Sequence, residues 1–378
     1  MQQLVPLLLN WYACNARDLP WRRTTDPYGI WVSEIMLQQT QVKTVIGYWE
    51  RWMDRLPTIA SLAKARPQTI HKLWEGLGYY SRVRNMQAAG RLIVKEHQGC
   101  FPSDFNDVLE LPGIGRYTAG AICSIAFNQP TPIVDGNVTR VLARIFGIHG
   151  NPRDKAVNER LWGLAEELVK EADQISALPN APARVRTCSS LNQSLMELGA
   201  TMCTPRQPNC NDCPATSICV ARRDAITHLL PQVAARPAIT RRRFFAFVAR
   251  HADQFLVRQR PAGVVNANLW EFPNIEVHNV RADAGQACRQ LLGLTGRVTH
   301  LATIHHSITR YRIRLEVFAA AAPRAQAKPV QGDWLKLAQL RKLPFASAHK
   351  KVLQRIAAAQ PASPSAERLP SRARVCPS

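Results

Sequence analysis

The chain has 378 residues, 46% of them hydrophobic, and carries a formal net charge of +22. That length supports two or three packed globular domains, and the charge far exceeds what solubility requires. A polyanionic partner follows, nucleic acid rather than membrane, because no basic amphipathic anchor stands out. Met1 to Leu9 is apolar but lacks a basic flank and runs straight into Trp11, Tyr12 and Asn15, so it reads as an N-terminal helix and not a signal peptide. From there to about Ala200 the periodicity is helical almost throughout, interrupted at Pro20, Pro27, Pro57, Pro67, Pro102, Pro130 and Pro132. Pro27 opens a helix through Gln39 in which Ile30, Trp31, Ile35 and Leu37 surround a single acid, Glu34. Gly76-Leu77-Gly78-Tyr79-Tyr80 sets two aromatics on a soft turn before a basic helix, a place for core packing or for stacking on bases.

Helical patterns from Phe105 to Leu111 and from Tyr117 to Phe127 flank Leu111-Pro112-Gly113-Ile114-Gly115, which is too tight and glycine-rich to continue a helix. This is a helix, a hairpin and a helix, with glycine backbone and free N–H groups suited to an anion. Asp135-Gly136-Asn137 then opens another helix, and helices near 154–172 and 190–200 follow. Residues 221–240 read as a linker after a helical domain of residues 1–220. Beyond it the pattern turns strand-like at 243–249, 254–258 and 310–318, with helices near 282–293 and 346–358. Residues 241–358 therefore form a small α+β domain, and the Pro/Ser-rich tail at 359–378 is expected to be disordered.

Ten cysteines are unevenly spread, with Cys203, Cys210, Cys213 and Cys219 crowded together and the others isolated. That is not a disulfide framework; it indicates a reducing cytoplasm and one thiolate-ligated centre, zinc or a cubane iron–sulfur cluster by spacing alone. Two carboxyls suggest acid–base work. Glu34, in apolar company, is expected to have a raised pKa, while Asp135 at a helix start is expected to be held ionised by amide donors. Such a pair matches cleavage of a glycosidic bond.

Taken together, Trp31-Val32-Ser33-Glu34-Ile35-Met36-Leu37-Gln38-Gln39-Thr40-Gln41-Val42, the 76–80 turn, Leu111-Pro112-Gly113-Ile114-Gly115-Arg116-Tyr117-Thr118-Ala119, Val134-Asp135-Gly136-Asn137-Val138 and the four cysteines resemble the MutY family of adenine-specific mismatch DNA glycosylases. The resemblance implies a helix-hairpin-helix glycosylase core with a [4Fe–4S] cluster on Cys203, Cys210, Cys213 and Cys219, followed by a Nudix-like domain that checks for 8-oxoguanine. It also implies a DNA-binding, nucleoid-associated monomer acting on A:8-oxoguanine or A:G mispairs in duplex DNA. Glu34 would protonate adenine, Asp135 would stabilise the sugar cation and Tyr117 would assist. The related endonuclease III enzymes carry a lysine in place of Tyr117, so base removal without efficient strand cleavage is expected. Gln39 and Tyr79 would insert at the lesion, Trp21, Arg22 and Gln193 would border the adenine pocket, and Gly113 and Gly115 would contact a phosphate. The Phe-Ser-His triplet expected in the second domain is replaced by Ile308-Thr309-Arg310, leaving Thr309 to supply the hydroxyl, and 288–293 offers no glutamate for a Nudix metal site.

Overall fold

The computed structural model describes residues 3–176, 186–234, 238–279, 281–322 and 332–359. The chain divides into two compact units, Met1–Pro237 and Ala238–Ser378. The expected disordered tail lies, from position 360 onward, outside the described residues. Among the described residues no helix is long and apolar enough to cross a membrane.

The first unit is built from α1 (Leu4–Asn15), α2 (Pro27–Leu37), α3 (Val42–Arg55), α4 (Ile59–Lys64), α5 (Pro67–Leu73), α6 (Ser81–Glu96), α7 (Phe105–Glu110), α8 (Arg116–Phe127), α9 (Gly136–Ile145), α10 (Lys155–Ser176), α11 (Thr187–Thr201) and the single turn α12 (Val220–Arg223). Pro27 and Pro67 sit in first turns, where a missing N–H costs nothing. Asp26 caps α2 by accepting from the N–H groups of Tyr28 and Gly29. Residues Tyr28 to Met36 are buried without a break, and α3 and α8 pack against this central helix. Trp31, Trp52 and Trp74 are fully buried around it, and truncating any one to alanine would cost roughly 3–5 kcal/mol.

Two glycines set close approaches. A Cβ on Gly120 would lie 2.3 Å from the carbonyl oxygen of Pro132, so only glycine lets α8 pack this tightly on the segment leading to Asp135. In the hairpin between α7 and α8, Gly113 has φ +80°, and its Cβ would meet Asn85 at 2.6 Å. The demand for glycine there is thus internal to the protein. Gly115, by contrast, faces open space.

The stretch read as a linker is not free along its length. Ala221 and Leu230 are buried, and the Leu230 carbonyl accepts from Arg144 Nε at 2.9 Å, so the chain to about 231 belongs to the helical unit. At its far end, Thr240 already starts a strand.

The second unit is a seven-stranded mixed sheet of β1 (Thr240–His251), β2 (Gln254–Gln259), β3 (Trp270–Glu271), β4 (Asn274–Glu276), β5 (Val298–Ile308), β6 (Tyr311–Ala321) and β7 (Asp333–Lys336). The main order is β3-β2-β1-β6-β5, with β4 on β1 and β7 on β2. β1 and β6 run parallel and every other pair of strands is antiparallel. Helix α13 (Ala284–Leu292) places Cys288 and Leu292 against Phe245 and Phe247 on one face. After the short α14 (Leu337–Leu340), α15 (Ser347–Ala359) places Val352 and Leu353 against Val248, Ile304 and Leu315 on the other. Strand β5 has no counterpart in the sequence reading. It is an edge strand rich in exposed polar residues, and a register shift between His300 and Ala302 breaks its alternation.

Candidate active site

Helices α2, α8 and α11 and the start of α9 border a cavity of about 520 Å³. Glu34, Tyr117, Asp135, Trp21, Arg22, Gln39 and Gln193 all line it, although they come from separate stretches of the chain. Glu34 projects from α2 and is 5% exposed. Tyr117, in the first turn of α8, donates its hydroxyl to Glu34 Oε2 at 2.7 Å and lies 3.3 Å from Met196 Sδ. Asp135 caps α9, accepting from Val138 N at 2.7 Å and from Asn137 Nδ2 at 3.2 Å.

Burial pushes Glu34 up to about 7; the Tyr117 hydrogen bond and Arg22 oppose this, and Asp135 reinforces it. The raised pKa expected of Glu34 is therefore present. For Asp135 the outcome differs from expectation: its pKa is also raised, because burial outweighs the pull of the Val138 and Asn137 donors and of Arg140. A cap satisfies the carboxylate, but a cap inside a cavity wall does not replace all the water it loses.

The remaining wall is held by bonds within the protein. Trp21 packs edge-on against Trp49, with centroids 6.3 Å apart. Gln193 Oε1 accepts from Tyr12 Oη at 3.0 Å, and its Nε2 donates to Ser189 Oγ at 3.1 Å. Gln39 adopts φ +59° in the turn after α2. Tyr79, with φ +48° and 46% exposed, lies outside the cavity lining, while its neighbour Tyr80 is buried. Arg82 joins these two turns, donating to Ile35 O at 2.7 Å and Gln38 O at 2.6 Å on one side, and to Leu77 O and Gly78 O at 3.2 Å on the other. Its guanidinium also lies 5.4 Å from the Tyr79 ring centroid. Gly113 and Gly115 sit in the hairpin rather than at the cavity. Thr309 is exposed in the β5–β6 turn of the second unit, its hydroxyl donating to Ile308 O at 2.8 Å.

Sequence reading missed Tyr12, Arg17, Met196 and Glu197, all at or behind the cavity wall. Only the helical spacing of Gln193, Met196 and Glu197, which places them near one face of α11, offered a signal.

Two family models match the chain: HhH-GPD superfamily base excision DNA repair protein over residues 32–167, and NUDIX domain over residues 245–355. The mouse adenine DNA glycosylase is 35% identical over 409 aligned residues, spanning 92% of this chain and 76% of that protein. The adenine DNA glycosylase of Buchnera aphidicola subsp. Schizaphis graminum is 37% identical, spanning 71% of this chain and 74% of that one. The chain belongs to the adenine DNA glycosylase (MutY) family. A solved thermostable thymine-DNA glycosylase superposes with a TM-score of 0.50 and 29% identity, covering 58% of this chain and 95% of that one. Family membership thus spans both units, the helical core and the Nudix-like sheet.

The four crowded cysteines of this family member line one cavity together with Val141, Arg144 and Leu198. Among the described residues, no group of three or more His, Cys, Asp and Glu is placed to hold a single metal ion. Four thiols around one cavity are the donor set that an iron–sulfur cluster takes. Arg144 Nη1 lies 3.4 Å from Cys203 Sγ, the kind of donor that supports a thiolate. Arg140 links the two sites, donating to Cys203 O at 2.7 Å and to Asn137 Oδ1 at 2.9 Å beside Asp135.

Proposed function

We propose that this chain hydrolyses the N-glycosidic bond of adenine mispaired with 8-oxoguanine or guanine in duplex DNA. The observation that carries the reading is a buried glutamate, its pKa pushed up to about 7 by burial, bonded to Tyr117 in the same cavity as the Asp135 carboxyl. Glu34 donates its proton to adenine N7 as the bond from C1′ to N9 breaks, and the bonding electrons leave with the base. Asp135, in its ionised form, stabilises the oxocarbenium-like sugar, and water adds to C1′ as its proton passes to the Glu34 carboxylate, restoring the acid. Tyr117 orients the Glu34 carboxyl. A phenol forms no imine with the sugar, so base removal proceeds without efficient strand cleavage.

Trp21, Arg22 and Gln193 wall the adenine pocket; Gln39 and Tyr79, on turns joined by Arg82, fill the space the flipped base leaves. The hairpin with Gly113 and Gly115 grips a phosphate, and Thr309 contributes a hydroxyl toward the oxidised partner base. Cys203, Cys210, Cys213 and Cys219 hold a [4Fe–4S] cluster, which supplies iron–thiolate cross-links when bound. The protein acts as a monomer on nucleoid DNA in a reducing cytoplasm. The decisive assay is adenine release from an A:8-oxoguanine duplex, compared with A:G and with Glu34→Gln. Release by the wild type and at least a hundredfold slower release by the variant are expected, the usual scale of a lost general acid being about 10²–10⁴. Undiminished release by Glu34→Gln would overturn the mechanism.

A further inference from the structure

The cavity contains a buried carboxylate to which the reaction assigns no step. The side chain of Glu197, on α11, has no solvent exposure, and both its oxygens are occupied by arginine donors. Oε1 accepts from Arg17 N at 3.1 Å and from Arg17 Nε at 2.6 Å. Oε2 accepts from Arg17 Nη2 at 2.7 Å and from Arg22 Nη2 at 2.9 Å. Arg22 is fixed further by donating to Arg17 O at 3.1 Å and by lying 5.4 Å from the Tyr12 ring centroid.

The charge balance of the cavity gives this arrangement a consequence. Its acidic and basic lining residues are Arg17, Arg22, Glu34, Asp135 and Glu197. When Glu34 is protonated and Asp135 ionised, two guanidinium charges meet two carboxylate charges. Remove the Glu197 charge and the balance becomes positive by one, which is relieved if Glu34 gives up its proton. Three groups bear on Glu34 from the surrounding elements: Tyr117 on α8, Asp135 at the start of α9, and Arg22 ahead of α2. Arg22 favours ionisation of Glu34, and Glu197 is the carboxylate bonded to Arg22.

We propose that Glu197 is a positioning residue of the glycosylase site: it fixes Arg22 against the cavity wall and cancels its charge, so that Glu34 keeps the proton it must donate. This rests on the reading of Glu34 as the acid. The same cancellation serves the reaction as positive charge develops on the protonated base and the sugar, since an unpaired guanidinium in the wall would oppose it.

The test is single-turnover adenine release by the full chain, with saturating enzyme, from about pH 5 to about pH 9. The wild-type rate should fall as pH rises through about 7. In Glu197→Gln the midpoint should move down by about one pH unit or more, making the variant roughly tenfold slower at pH 8 but within about threefold of wild type at pH 5. Glu197→Asp should recover most of the shift. An equal loss at every pH, or an unmoved midpoint, overturns the proposal. If circular dichroism shows that Glu197→Gln does not fold, Arg22→Gln decides: deleting the positive charge should move the midpoint upward, and a fixed or lowered midpoint overturns the proposal. Failure of the underlying reading looks different, as an active Glu34→Gln or a wild type with no alkaline loss, and overturns both.

Discussion

Glu34 in the helical unit and Glu271 in the sheet unit are both shut away from solvent, at 5% and 2% exposed, yet their surroundings treat them in opposite ways. Around Glu271, burial pushes upward but is outweighed by His349, Arg260 and Arg258, leaving the carboxyl below its ordinary range. With His349 itself driven down to about 4 by burial, the two arginines supply that pull near neutral pH. Arg258 Nε donates at 2.9 Å and Arg260 bonds the other oxygen. Among the described residues Glu34 has no direct cation, only a phenol, and it rises to about 7. A buried carboxyl becomes a proton donor when the protein withholds the partner that would keep it ionised, and a structural anchor when it supplies one.

The comparison can be broken by giving Glu34 the surroundings of Glu271. Met196→Lys would bring an ammonium beside the Glu34–Tyr117 pair. The expected result is a loss of more than about a hundredfold in adenine release at pH 7.5, partly regained as pH falls. A loss indifferent to pH would contradict it. The reciprocal change is Arg260→Met, which deprives a buried carboxylate of one of its cations. Denaturant unfolding of the sheet unit should show destabilisation on the order of 3 kcal/mol, and a neutral result would mean that Arg258 suffices alone.

A smaller effect follows from linkage. Because the folded pKa of Glu34 lies above its unfolded value, its contribution is fully present below about 4.5 and is lost as pH rises through about 7. Glu34→Gln should therefore gain up to about 3 kcal/mol over wild type at pH 8, an advantage that disappears below about pH 4.5. Thermal melts at the two pH values check this. The smallest predicted change belongs to Tyr117→Phe, which removes the hydrogen bond that lowers the Glu34 pKa. Its rate profile should shift upward by about half to one pH unit; a downward shift would mean that the phenol acts chiefly on another group.

Much of the site was legible in the chain because its parts carry strong local chemistry. Pro27 marks the start of α2, the glycine hairpin marks α8, and Asp135 marks α9. Apolar neighbours around Glu34 sufficed to anticipate its raised pKa. The strand β5 escaped because its edge position and its irregular register weaken the period-two pattern. Arg82 escaped for another reason: its role is to bind four carbonyls from two distant turns, and nothing in a single arginine before a helix announces that.

The sequence by itself determined the change from helical to strand-like pattern, the helix-hairpin-helix, the raised pKa of Glu34 and the crowding of the four thiols, since each depends on residue type and short-range spacing. Only the tertiary structure decided that Glu197 and its two arginines stand in the wall of the same cavity. It also decided that burial raises Asp135 despite its cap, and that Gly113 is required by Asn85. The physical reason is common to all three. Desolvation, charge balance and steric room are sums over neighbours from several segments, and those sums exist only once the chain has packed.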